Sequence, residues 1–91
     1  MDGTPSELMG PPQFALGEKV RLTRTIRNDG TFIGRGPREV LAGKGEVGYV
    51  VGIGTFLQMF YIYSVHFLAL GIVVGCRGTE LESLEPPADI E

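Results

Sequence analysis

The chain has 91 residues, 43% of them hydrophobic, with a formal net charge of −3 and a single cysteine. That is one domain with a small core, no internal disulfide and no Cys-x-x-Cys metal motif. The acidic total argues against general nucleic-acid binding, and a lone cysteine fits a reducing, cytoplasmic compartment.

Residues 1–13 include Gly3, Pro5, Gly10, Pro11 and Pro12 and few apolar side chains, which predicts a flexible N-terminal tail. The segment has neither the basic start nor the apolar stretch of a signal peptide. Residues 86–91 read as a second, acidic tail, leaving 14–85 as the folded domain. Glycines punctuate that domain at short intervals and leave little room for an ordinary helix. Runs of Val, Ile, Tyr, Phe and Thr lie between them, as short strands joined by glycine turns would require; the class is all-β, a barrel or sandwich of about five short strands.

The first strand is predicted over 18–26, where Val20, Leu22 and Ile26 alternate with Lys19, Arg21, Thr23 and Thr25. Arg24 falls on its apolar side, a position for a side chain that snorkels to the rim. Residues 27–36 read as a loop with a turn at Asn28-Asp29-Gly30, and 38–41 as a short strand. Gly43-Lys44-Gly45-Glu46-Val47-Gly48 matches G-x-G-x-x-G but leads into strand-like Tyr49-Val50-Val51. A dinucleotide site needs a helix there, so the glycines are assigned to a turn and to a bulge at Gly48. Strands are expected over 46–53, 60–68 and 72–76, then a single helical turn and a last short strand within 79–84.

Residues 56–75 carry no formal charge and are long enough to cross a membrane as a helix. Their pattern is that of strands instead. Tyr61, Tyr63, Val65 and Phe67 share one face; Ile62, Ser64, His66 and Leu68 share the other. Leu68, Ala69 and Leu70 make an apolar hairpin tip, a candidate contact surface.

The inventory for catalysis is poor. His66 is the one histidine, on the face away from the aromatic residues, towards solvent or a partner. No triad, carboxylate pair or metal cluster can be assembled, so no enzyme and no resident cofactor are expected. Cys76 ends an apolar run beside Arg77. It reads first as inert packing, and otherwise as one ligand of a transiently held metal or iron–sulfur cluster. Charge is unevenly placed. Seven basic residues (Lys19, Arg21, Arg24, Arg27, Arg35, Arg38, Lys44) lie between 19 and 44 against Asp29 and Glu39, whereas 77–91 hold one base and five acids. A basic patch of this kind suits an acidic protein partner. Arg27, Asn28, Asp29, Arg35 and Arg38, with His66, are the candidate partner-binding residues; a turn needs Asn-Asp-Gly but has no need of Arg27.

Residues 20–26 leading into Arg27-Asn28-Asp29-Gly30-Thr31 resemble the NifZ family. So do Gly45-Glu46-Val47-Gly48-Tyr49-Val50, Ile53-Gly54-Thr55-Phe56-Leu57-Gln58, Ile62-Tyr63-Ser64-Val65-His66-Phe67-Leu68, Val73-Val74-Gly75-Cys76-Arg77 and Glu80-Leu81, in the family's order. The resemblance implies a small SH3-like barrel. It implies a nitrogen-fixation accessory protein, a chaperone-like factor in maturation of the nitrogenase molybdenum–iron protein and formation of its P-cluster. The implied partners are that protein or its assembly intermediates, not nucleic acid or a membrane, with weak self-association allowed. The sequence departs from the family pattern at 59–61 and 69–70, where polar residues are expected. A partner or a second copy covering that hairpin would account for the departure.

Overall fold

The computed structural model describes Leu8 and residues 10–85; the expected acidic tail over 86–91 and most of the N-terminal segment lie outside the described residues. Seven strands form among the described residues: β1 (Lys19–Leu22), β2 (Ile26–Arg27), β3 (Val40–Ala42), β4 (Val47–Phe56), β5 (Phe60–Phe67), β6 (Ile72–Arg77) and β7 (Leu81–Ser83), with a 3-10 turn over Gly78–Glu80 before the last. The all-β class is as expected. The barrel, however, is open. Five strands make one antiparallel sheet in the order β6-β5-β4-β1-β7, and β2 and β3 make a separate two-stranded ribbon.

β5 follows the period of two that its sequence dictates. Tyr63, Val65 and Phe67 are buried, while Ile62, Ser64 and His66 on the other face are half-buried. The apolar segment 56–75 thus runs as strands, and no helix among the described residues is long and apolar enough to cross a membrane. The core gathers Val20, Leu22, Leu41, Val50, Tyr63, Val65, Phe67, Val74, Cys76 and Leu81 from six strands. Phe14 closes it, its ring edge-on to Tyr63 at 5.2 Å. The Tyr63 hydroxyl accepts the Gln13 N–H at 2.7 Å, and the Tyr61 hydroxyl donates to the Gly10 carbonyl at 2.7 Å. Residues 10–14 are therefore laid along the aromatic row of β5.

Two expectations change. The run 18–26 is two strands because its partners change. β1 pairs with β4 and β7, the Thr23 N–H adding a last bond in the β7 register to the Glu80 carbonyl, whereas Ile26 pairs with Ala42 of β3. Between them the Lys44 N–H bonds the Thr25 hydroxyl. Arg24 sits in that break and is exposed rather than snorkelling from an inner face. The bulge of β4 falls between Val50 and Gly52, not at Gly48. Gly48 serves close packing instead: a Cβ there would stand 2.6 Å from Val65 Cγ1 and 2.7 Å from the His66 carbonyl oxygen. The Gly43–Gly45 stretch is a turn into β4, and no helix follows it.

Candidate functional site

The loop between β2 and β3 is organised by Asn28, which is only 2% exposed. Its side-chain amide donates towards the carbonyls of Phe32 (3.2 Å), Arg35 (2.9 Å) and Gly36 (3.1 Å). Its Oδ1 accepts the N–H groups of Gly30 and Phe32, each at 3.0 Å. Its backbone bonds Glu39 and Arg38 across the neck of the loop. One buried amide thus ties both sides of the loop together, which is how a segment with so few apolar residues holds a shape.

The charged side chains divide into two groups. Asp29 and Glu39 are turned onto the loop itself: Asp29 Oδ1 accepts from the Thr31 hydroxyl and N–H, and Glu39 accepts the Gly36 N–H. The Thr31 hydroxyl, followed by its N–H, holds the Asp29 carboxyl below the ordinary carboxylate range. Among the described residues, Arg27, Arg35 and Arg38 form no ion pair with a carboxylate. Arg27 donates to the Arg38 carbonyl (3.0 Å) and Arg35 to the Val40 carbonyl (3.2 Å). The side chains of Arg24, Arg38 and Lys44 hydrogen-bond to nothing among the described residues. Bonds to neutral groups position a charge without neutralising it, so both signs persist, and residues 24–44 carry five bases against Asp29 and Glu39, a net +3.

Beside this loop runs an open groove of about 610 Å³. Ile26, Phe32 and Leu41 line one wall with Arg27, Asp29 and Thr31; Val73, Val74 and Gly75 of β6 line the other. Phe56, Phe60 and Arg77 stand along it as well, the Arg77 guanidinium 3.6 Å above the Phe60 ring. The groove is the seam at which the barrel stays open, between β6 and the β2–β3 ribbon.

Of the residues singled out from sequence, Arg27 and Asp29 line the groove. Asn28 lies beneath them as scaffold, and Arg35 and Arg38 lie elsewhere on the same loop. His66 is not brought to them: it stands in the outer-face ladder between Tyr49 and Val73. Cys76 is 1% exposed with its Sγ towards the Val74 carbonyl, and burial, then the charge of Glu80, pushes its thiol up to about 12. A metal ligand must be a thiolate, so this environment opposes metal binding. No group of three or more metal-ligating side chains exists among the described residues. Sequence reasoning missed Phe56, Phe60, Arg77 and the β6 wall. Only β6 left a signal, a six-residue apolar strand with no lysine or proline to protect it as an edge.

The NifZ domain family matches residues 11–83, which takes in both walls of the groove, the loop and every strand. This chain belongs to the NifZ family of nitrogen-fixation proteins. A Sinorhizobium fredii relative that carries the NifZ name is 53% identical over 86% of this chain and 72% of its own length. Protein NifZ of Azotobacter vinelandii is 50% identical over 77% of this chain and 44% of its own, and that of Klebsiella pneumoniae 42% over 84% and 51%. The chain therefore spans about half the length of the Azotobacter and Klebsiella NifZ proteins. No solved structure matches it.

Proposed function

We propose that this NifZ chain is a protein-binding assembly factor, without enzymatic activity, for maturation of the nitrogenase molybdenum–iron protein and formation of its P-cluster. It works in the cytoplasm and engages the immature partner through the loop between β2 and β3. The observation that carries this reading is the basic excess of residues 24–44, five bases against two acids, held in a defined shape beside a groove lined largely by apolar side chains. Shape held by Asn28 and an excess of positive charge suit docking of an acidic surface. The buried, protonated Cys76 gives no support to cluster carriage.

The test is capture of molybdenum–iron protein purified before P-cluster formation. Arg24→Glu, Arg38→Glu and Lys44→Glu together reverse charge without touching the loop's internal side-chain bonds. The triple variant is expected to bind at least tenfold more weakly at low salt, with its thermal transition within a few degrees of wild type. Unchanged capture overturns the reading.

A further inference from the structure

The five-stranded sheet has two edges, and they are built differently. β7 is three residues long and carries Glu82, paired with Arg21 of β1 at 2.6 Å. Short length and charge are two devices that keep an edge from pairing. β6 is six residues, Ile-Val-Val-Gly-Cys-Arg, without proline, lysine or bulge, and among the described residues it pairs only with β5.

Hydrogen-bond parity shows which of its groups face outward. The Val50 N–H bonds the Glu18 carbonyl, and the Val50 carbonyl accepts the Gly17 N–H, so Val50 turns its backbone away from β5. Its partner Val65 then turns towards β6, where it meets Val74. Val73 and Gly75 alternate with Val74, and their N–H and C=O groups point away from the sheet. Arg77 keeps the same parity: its N–H bonds the Glu80 carboxylate at 2.8 Å instead of β5. Among the described residues nothing bonds the outward groups of Val73 and Gly75. They open into the groove beneath the basic loop.

We propose that an extended, acidic and apolar segment of a partner polypeptide adds to the β6 edge at Val73 and Gly75, lying in the groove and filling the open side of the barrel. The proposal rests on the partner-binding reading above and gives it a docking site. Main-chain bonds to the edge provide affinity, and alternate side chains provide selection. One side of the added strand faces Ile26, Phe32 and Leu41; the loop above it favours Asp or Glu. Charge decides the occupant. A second copy pairing at the same edge would bring a second 24–44 segment of net charge +3 against the first, whereas an acidic segment complements it.

The test uses the full chain, nitrogen-15 labelled, with the peptide acetyl-Glu-Val-Asp-Val-Glu-Val-amide and its counterpart with lysine at each acidic position. The acidic peptide is expected to slow amide exchange of Val73 and Gly75 and to bind at least tenfold more tightly than the basic one. Val73→Pro removes an outward N–H and leaves the bonds to β5; Val73→Lys blocks the edge should the proline unfold it. Either folded variant is expected to lose at least tenfold in peptide affinity. No binding of the acidic peptide at millimolar concentration, wild-type peptide affinity in the folded variants, or protection of these amides by dimerisation without peptide would each overturn the proposal. Capture of the molybdenum–iron protein separates the two levels. If Val73→Pro and Val73→Lys capture it as wild type does, the edge is refuted and the partner reading stands. If wild type captures nothing while the peptide binds as stated, the partner reading fails and the edge stands.

Discussion

Asn28 holds the β2–β3 loop through five side-chain contacts, and its removal leaves buried carbonyls and N–H groups unpaired. Asn28→Ala is expected to cost about 1–3 kcal/mol in denaturant unfolding and to speed amide exchange at Gly30 and Phe32 above all. A stability change below a few tenths with unaltered exchange would remove its role as scaffold. Gly48 is fixed by sterics: a methyl group there collides with Val65 and with the His66 carbonyl. Gly48→Ala is expected to destabilise the fold by about 1–3 kcal/mol by thermal unfolding. For Cys76 the sign follows from its raised folded-state value. The unfolded thiol ionises near about 8.5 and the folded one only at about 12, so its contribution is whole below the first value and declines as pH rises towards the second. At pH 8 native Cys76 should resist iodoacetamide and react promptly once denatured; rapid native labelling would contradict its burial.

At the scale of elements, β5 was legible because one buried face imposes a two-residue period, and Tyr63, Val65 and Phe67 obey it. The turn at Gly43–Gly45 and the short helical turn before β7 were legible for the same local reason, turn chemistry between apolar runs. The division of 18–26 was not, because it follows from a change of partner, β1 pairing with β4 and β7 and Ile26 with Ala42 of β3. Nor was the groove, since the edge status of β6 follows from strand order and no local pattern encodes strand order. The Asn-Asp-Gly turn was readable, but a sequence shows only that Asn28 can bond backbone, not that its whole amide is buried. The β4–β5 hairpin adds a feature without any composition signal. Its turn, closed by the Met59 N–H on the Phe56 carbonyl, places Leu57 at φ 53° and Gln58 at φ 56°, a left-handed pair that asparagine and glycine adopt at lower cost. Replacing Leu57-Gln58 by Asn-Gly should raise stability by about 1 kcal/mol in chemical denaturation. A decrease would mean that these side chains stabilise the tip through contacts of their own.

The molecule as a whole places its core on one face of an open sheet and its excess of positive charge in residues 24–44, around the β2–β3 ribbon. The two meet at the seam between β6 and the β2–β3 ribbon. Exposed Val47, Tyr49 and Val73 keep the outer face partly apolar, and Arg21–Glu82 is a half-exposed pair worth about 0–1 kcal/mol. Neither has the concavity of the seam. Hydrogen–deuterium exchange of the full chain, alone and with molybdenum–iron protein lacking its P-cluster, reads the docking surface directly. Protection confined to residues 24–44 and 72–77 is the predicted result. Protection restricted to β1 and β7, or absent from the whole chain in a complex shown to form, would contradict it.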